Sequence, residues 1–205
     1  PMRICAAIAG ALVSGLFLLN LTLGVFEIPD NLPIVGNLLE KTAIVFTSDH
    51  GDSLFEHGLE QKHCFYEGPV GVPLIISVPD GLPQGTSSDQ LTCLVDIMPT
   101  LAELAGIPVP ADADGHSLLP AMRGEVDAER AVFSEFHEWH RTPGRMVRFR
   151  EWKYIYYHEG TELLFDLERD PEEMNDLAGD TEYAAIREEL HARVLEDWDV
   201  IKEVE

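Results

Sequence analysis

Three side chains close together in the sequence have the types that could hold a metal ion and an anion. Asp49 and His50 follow a short apolar run at residues 43–46, and Lys62 comes a dozen residues later. A carboxylate oxygen and an imidazole nitrogen together suit a divalent cation such as manganese or zinc, whereas an all-oxygen set would favour calcium or magnesium. Taken alone, an Asp-His-Gly sequence after a strand more often forms a turn with a polar cap, and a metal site at Asp49 and His50 is the alternative.

Lys62 and the nearby histidines could complete such a site. A fixed ammonium group stabilises the charge that develops on an anionic ester as its leaving oxygen departs, and a solvated loop lysine is the alternative for Lys62. His57 could donate a proton or support a ligand through a second hydrogen bond, and a histidine bonded to the loop backbone is its alternative. His63 is a weaker candidate of the same kind. His116 is expected to fix a turn near the cleft rather than to bind metal.

Two apolar strands must position these side chains. Residues 43–46 and 72–78 are short apolar runs rich in β-favouring residues, which predicts strands buried on both faces. The polar loop between them lies where an open α/β sheet presents its ligand groups.

A helix is predicted after the second strand. Residues 94–105 are apolar at helical spacing, and Gly106 supplies a C-terminal stop. This helix is expected to pack on the sheet. The residues on its apolar face are Leu94, Ile97, Leu101 and Leu104.

The C-terminal part of the sequence changes to short β-like runs followed by one long helix. Turn residues separate four runs, which predicts a small antiparallel sheet. Residues 181–200 then have the pattern of an amphipathic helix, with Leu190 and Val194 on its apolar face. The four runs are residues 131–136, 146–149, 154–158 and 163–166.

The beginning of the chain is almost wholly apolar. The run starts at Ile4, ends at Phe26 and is long enough, as a helix, to cross about 30 Å of hydrocarbon. It predicts a transmembrane helix or uncleaved signal anchor, with Arg3 on the inner side and the following acidic residues outside. A membrane-associated location is therefore expected, with a cytoplasmic or secreted location as the alternative. A cleaved secretion signal and a buried core helix are the other interpretations of the run.

Charge and cysteine content exclude several classes of protein. The chain has 37 acidic against 14 basic residues and a net charge of −23. Nucleic acid is excluded as a partner because neutralising phosphates requires basic patches. Such self-repulsion is best tolerated where salt screens it, which predicts a halophilic source, with an acidic mesophilic protein as the alternative. Cys5, Cys64 and Cys93 are too few and too scattered for a disulfide framework or a thiolate zinc site.

Several long motifs carry a family resemblance. Residues 42–76 read T-A-I-V-F-T-S-D-H-G-D-S-L-F-E-H-G-L-E-Q-K-H-C-F-Y-E-G-P-V-G-V-P-L-I-I, and L-V-D-I-M-P-T-L-A-E-L-A-G, G-H-S-L-L-P and R-E-W-K-Y-I-Y-Y follow. These motifs resemble the sulfatase family of the alkaline phosphatase superfamily over residues 42–195. The resemblance implies that Asp49 and His50 bind the active-site metal and that Lys62, one of only four lysines, contacts the sulfate oxygens.

The resemblance also implies a fold, cofactors and a substrate class. The expected fold class is α/β, with a partial alkaline-phosphatase-like sandwich of a mostly parallel sheet and flanking helices. A small C-terminal antiparallel sheet with a long helix follows, and the N-terminal hydrophobic helix precedes it. The expected divisions are residues 1–40, 41–125 and 126–205. The implied cofactors are a divalent metal ion (calcium, manganese or magnesium) and formylglycine, and the implied substrate is a sulfate or phosphate ester of a small molecule or glycan.

Some family residues are absent from this sequence. Sulfatases carry their nucleophile in Cys-x-Pro-x-Arg or Ser-x-Pro-x-Arg and place two further Asp ligands near the N-terminus. No cysteine here begins that motif, and Gly71 stands where the family usually has an arginine. The family's N-terminal half is expected to be missing, so the chain is expected to be an inactive fragment, a truncated product or a fusion.

Two other functions remain open at this point. The first is a phosphomonoester, phosphodiester or phosphonate hydrolase, because the resemblance implies a superfamily in which sulfate and phosphate esters are hydrolysed at the same kind of metal site. The second is a membrane-anchored, non-catalytic remnant that binds a partner or nothing.

The acidic composition generates a testable prediction. The free energy of unfolding is expected to rise from low salt to molar potassium chloride, because ions screen the repulsion among the excess carboxylates. Urea titrations at a series of salt concentrations measure this. Stability that stays constant across the series would contradict a halophilic source.

Overall fold

Two four-stranded sheets organise the part of the chain that the computed structural model describes, which is residues 4–6, 41–79, 81–137 and 142–198. The first sheet contains β1 (Ile4–Ala6), β2 (Ile44–Thr47), β3 (Leu74–Ser77) and β4 (Thr86–Ser88). Its strand order is β2-β3-β1-β4. The predicted strands at residues 43–46 and 72–78 thus correspond to β2 and β3, which lie side by side.

The direction of β2 corrects the predicted mostly parallel sheet. β2 runs antiparallel to β3, with Val45 opposite Ile76, and β1 runs antiparallel to β4. Among the neighbouring strand pairs described in this sheet, only the β1–β3 pair is parallel. A parallel pair needs a long crossover, usually a helix. The connection from β2 to β3 instead holds a 3-10 turn, Glu56–Gly58, and the short helix α1, Glu67–Val70, so the chain turns back beside β2.

Two helices cover one face of this sheet. The helix α2, Ile97–Leu104, follows a 3-10 turn, and α3 spans Leu119–Met122. Leu74 and Ile76 of β3 are fully buried against α3, and the side chains Ile97 and Leu104 pack against the same cluster. The predicted helix over residues 94–105 is thereby confirmed.

The buried face of α2 differs from the predicted one at one position. Leu101 was expected inside, but 40% of it is exposed, whereas Thr100 is buried. Thr100 is held inward because its hydroxyl donates to the Asp96 carbonyl at 2.6 Å and accepts the Leu118 N–H at 2.9 Å. Since neighbouring helical residues point about 100° apart, Leu101 turns towards solvent.

The second sheet confirms the predicted antiparallel arrangement. Its strands are β5 (Ala131–Phe136), β6 (Gly144–Phe149), β7 (Trp152–Tyr157) and β8 (Glu162–Asp166), paired in chain order. Side chains alternate between its faces, as strand geometry requires. Met146 and Ile155 pack with Phe65 on one face, while Val147 and Tyr154 belong to the core on the other.

The long C-terminal helix, α4, spans Ala184–Leu195 and covers that other face. Its side chains Leu190 and Val194 are fully buried against this face of the sheet, as predicted. The helix ends before residue 200, since Glu196 has extended backbone angles. The Arg145 guanidinium binds this end by donating to the carbonyls of Val194 at 3.0 Å and Glu196 at 2.7 Å.

The start of the chain differs from the predicted membrane helix where it is described. Ile4–Ala6 form β1, in which the backbone pairs with Leu74 and Ile75 on one side and with residues 86–88 on the other. The rest of the predicted segment lies in residues 7–40, outside the described residues. Within the described ranges, no helix has the length and apolar content to cross a membrane. The proposed divisions at residues 40 and 125 stay a prediction.

The packing of α4 yields a stability prediction. Leu190→Ala is expected to lower the free energy of unfolding by about 2–5 kcal/mol, because it leaves a cavity in a fully buried core. Chemical denaturation monitored by circular dichroism measures the change. Glu188→Ala on the exposed side of the same helix is the matched control and should change stability by less than about 0.5 kcal/mol. Equal effects of the two substitutions would contradict the assigned orientation of α4.

Candidate functional site

One cleft of about 290 Å³ brings together Asp49, His50 and Lys62. The loop after β2 forms one side of it, and side chains of β5 and β6 form the opposite side, among them Glu135 and Arg148. The three residues singled out from the sequence therefore share one space.

Asp49 and His50 form a pair in which two ligand atoms face each other. His50 Nδ1 lies 2.7 Å from the Gly51 carbonyl oxygen. Because a carbonyl only accepts, Nδ1 carries the proton and the lone pair is on Nε2. His50 Nε2 lies 3.6 Å from Asp49 Oδ2. The backbone N–H of His50 donates to Asp49 Oδ1 at 2.9 Å, and this bond is the main cause that lowers the pKa of Asp49. Asp49 Oδ2 and His50 Nε2 are thus two acceptor atoms close together in the cleft.

The donor set fits part of a metal coordination shell. One carboxylate oxygen and one imidazole nitrogen suit a divalent cation, and a ligand histidine commonly donates its other ring N–H to a backbone carbonyl, as His50 does. Within the described residues, no three His, Cys, Asp or Glu side chains are grouped so as to hold a metal. Asp49 and His50 therefore fit as two ligands rather than as a complete site.

A close contact between two glycines fixes this turn. The Gly51 N–H donates to the Pro69 carbonyl at 2.7 Å. A Cβ atom at Gly51 would lie 2.0 Å from the Gly68 carbonyl oxygen, which no side chain could accommodate. Glycine at position 51 therefore allows the turn after β2 to rest directly on the backbone of α1.

Lys62 projects from a firmly held backbone. The Ser53 N–H donates to the Gln61 carbonyl at 2.8 Å, and Cys64 and Phe65 are both buried. The Lys62 side chain itself is exposed to the cleft, and it has no hydrogen bond or ion pair with the described residues. Its ammonium group is thus available to bind an anion.

A buried lysine, which the sequence analysis missed, supports the loop from below. Lys153 on β7 is 1% exposed, and its Nζ lies 2.5 Å from Glu67 Oε1 and 2.7 Å from Glu173 Oε1. The same ammonium donates to the Phe65 carbonyl at 3.0 Å. Burial acts to raise the pKa of Glu67, whereas the charge of Lys153 and its hydrogen bond act to lower it, and the pKa lies well below its usual range. The sequence feature that could have revealed this buried lysine is its position two residues before Ile155, which puts both side chains on the same face of the strand.

A second buried charge lies beside Cys93, one of the residues that line the cleft. Asp96 is fully buried, and its carboxylate accepts from Arg130 Nη2 at 2.6 Å and from the Cys93 N–H at 2.7 Å. It also accepts the His116 N–H at 2.9 Å. His116 therefore fixes a turn through its backbone, in line with its expected role.

The other two histidines have different positions. His57 does not line the cleft; its ring stacks on Tyr66, with centroids 3.8 Å apart and planes 7° apart. His63 does line the cleft, and its Nε2 lies 3.1 Å from Gln61 Oε1. The structure thus does not join His57 to the predicted group, and its proton-donor role stays a prediction.

Arg148 is a further cleft residue that the sequence analysis did not identify. Its Nη1 donates to the Glu151 carbonyl at 2.6 Å, and burial lowers the pKa of its guanidinium. The sequence feature that could have revealed Arg148 is a charged residue between the buried residues of the strand Gly144–Phe149.

A family model and several known proteins match the chain. Residues 55–199 match the model described as N-sulphoglucosamine sulphohydrolase, C-terminal. A Delta 4,5-hexuronate-2-O-sulfatase of Bacteroides thetaiotaomicron is 41% identical over 166 residues, covering 77% of this chain and 34% of that protein.

Solved structures have the same fold. One, in complex with its substrate D-glucosamine-2-N,6-O-disulfate, has a TM-score of 0.71 and 31% identity, covering 79% of this chain and 37% of that one. A phosphonate monoester hydrolase from Silicibacter pomeroyi has a TM-score of 0.69 and 26% identity, covering 80% and 37%. The chain spans about a third of the length of these relatives.

The Lys153 cluster yields a prediction on acid stability. Because the folded pKa of Glu67 is lowered, its contribution is fully present above the ordinary glutamate pKa of about 4.3 and is lost as the pH falls through the lower folded value. Glu67→Gln removes this titration. Below about pH 4.3, the free energy of unfolding of the variant should therefore fall less steeply than that of the unmodified chain. Urea titrations between neutral and acid pH measure both slopes. Glu188→Gln, on an exposed position, should keep the original slope, and identical slopes for all three proteins would contradict the prediction.

Proposed function

The chain belongs to the sulfatase family, and from that premise we propose that its cleft is the metal- and sulfate-binding part of a site for sulfuric ester hydrolysis. The observation that carries this proposal is the shared cleft of Asp49, His50 and Lys62. These are the residues that the family resemblance assigns to the metal and to the sulfate oxygens.

Each side chain has a distinct role in this proposal. Asp49 and His50 would hold a divalent cation, calcium, manganese or magnesium, which would act as a Lewis acid on the ester oxygens. Lys62 binds the sulfate oxygens and stabilises negative charge as the ester bond breaks. The Nδ1–H bond from His50 to Gly51 keeps Nε2 directed towards the cation.

Sulfate is favoured over phosphonate as the anionic group. The hexuronate sulfatase is 41% identical to this chain, whereas the phosphonate monoester hydrolase is 26% identical. Since one structural relative is solved with a disulfated glucosamine as its substrate, we assign a sulfated sugar as the substrate class here.

Binding and turnover are separate parts of the proposal. The family's formylglycine arises in a Cys-x-Pro-x-Arg or Ser-x-Pro-x-Arg motif, and this sequence of 205 residues contains neither. Without that nucleophile, the 205-residue chain is proposed to bind the cation and the sulfate group without hydrolysing the ester. A non-catalytic remnant that binds neither is the alternative.

Calorimetric titration with manganese chloride and with sodium sulfate tests the binding role. Lys62→Met should weaken sulfate binding about tenfold or more, because it removes a charge-assisted contact, and Asp49→Asn should weaken manganese binding. Lys41→Met, an exposed lysine that does not line the cleft, is the matched control and should leave both affinities unchanged.

Two outcomes would contradict this proposal. Sulfate affinity that is the same in Lys62→Met as in the unmodified chain would remove the assigned role of Lys62. Steady release of sulfate from an aryl sulfate by the purified chain with manganese would contradict the separation of binding from turnover.

A further inference from the structure

We propose that Lys153 is the residue that positions both halves of the cleft site, although it does not line the cleft itself. This inference rests on the proposed function for the meaning of the site, while its structural part can be measured without any ligand. It assigns to one buried ammonium group the placement of Lys62 and of the Asp49–His50 pair.

The first step is the cost of the buried charge. An ammonium group that is 1% exposed is tolerated only with close partners of opposite charge. Lys153 obtains two of them from different parts of the chain, Glu67 on α1 and Glu173 in the segment after β8. Glu173 is held with φ of 54°, an unusual value for a glutamate. The local backbone therefore accepts strain where it supplies the second carboxylate.

The second step connects Lys153 with Lys62. The Lys153 ammonium donates to the carbonyl of Phe65, only three residues after Lys62, and Phe65 is 2% exposed. The intervening Cys64 is also buried, with its sulfur 3.5 Å from the Ser53 hydroxyl. Lys153 and the buried side chains thus fix the backbone from which Lys62 projects.

The third step connects Lys153 with the metal pair through α1. The Glu67 N–H donates to Glu173 Oε2 at 2.6 Å, so both the backbone and the side chain of the first residue of α1 belong to the buried cluster. Two residues later, the Pro69 carbonyl accepts the Gly51 N–H at 2.7 Å. A shift of α1 would therefore move the turn that carries Asp49 and His50.

The consequence for binding follows from how sensitive sites are to position. Groups that act on one ligand need their geometry held within about half an ångström by surrounding contacts. Here one cluster restrains the anion-binding group through Phe65 and the cation-binding pair through Pro69. Loss of the Lys153 ammonium should therefore weaken sulfate and manganese binding together.

Two variants separate positioning from stability. Lys153→Met removes the ammonium group that lies between the Glu67 and Glu173 carboxylates and is expected to destabilise the fold. Combining Lys153→Met with Glu67→Gln and Glu173→Gln removes the two negative charges as well and should recover most of that stability. The hydrogen bond to the Phe65 carbonyl stays lost in this triple variant, so its affinities for sodium sulfate and manganese chloride should remain about tenfold weaker or more.

Arg130→Met is the matched control because it breaks the other buried ion pair, between Arg130 and Asp96. It should lower stability but leave both affinities within about twofold of the unmodified chain. Calorimetry measures the affinities, and urea titration confirms that each variant is folded under the binding conditions. A folded triple variant with the original affinities would overturn the proposal, as would an equal loss of affinity in Arg130→Met.

Amide hydrogen exchange keeps this test distinct from that of the proposed function. If the unmodified chain binds neither sulfate nor manganese, the proposed function fails, and exchange alone decides the role of Lys153. The amides of Gly51 and Ser53, which bond to Pro69 and Gln61, should exchange about tenfold faster or more in the triple variant than in Arg130→Met. Equal protection of these amides in both variants would overturn the positioning role.

Discussion

The need to neutralise one buried ammonium group organises the contact between the two sheets. Lys153 belongs to the C-terminal sheet, yet its partners Glu67 and Phe65 belong to the segment between β2 and β3. Two sheets in apolar contact can shift relative to each other at little cost, whereas a buried charge requires its partners at hydrogen-bond distance. The ion pair therefore fixes the register between the sheets, and the surrounding Phe65, Met146 and Ile155 core supplies the apolar area.

A buried charge with several partners occurs a second time, at Asp96. Asp96 is fully buried and collects donors from Arg130, Cys93 and His116, which come from separate parts of the chain. Neither Lys153 nor Asp96 lines the cleft, whereas Asp49 and Lys62 do and are exposed. The buried charges thus hold separate segments of the backbone together, and the exposed charges face the cleft.

Sequence reasoning succeeded where the signal was local. The strand and loop around Asp49, the antiparallel sheet and the helix Ala184–Leu195 follow from apolar periodicity and turn residues. Strand direction in the first sheet did not, because it depends on how the chain returns after Thr47 rather than on any residue type. Lys153 and Asp96 were missed for a related reason: a buried charge shows its role only through partners that are distant in the sequence. The shared cleft of Asp49, His50 and Lys62 was anticipated through family resemblance, whereas the Arg148 side of the cleft was not.

The contact between Gly51 and Gly68 has a consequence for how such chains diverge. The obstacle to a side chain at position 51 is a backbone oxygen, so no substitution at position 68 can create room for it. His50, the proposed metal ligand beside it, is freer to change, since the family resemblance implies either histidine or asparagine at that position. Over long evolutionary times, Gly51 should thus be substituted less often than His50. In distant homologues, an intact glycine at this point would trace common ancestry even after the chemistry of the site had been replaced.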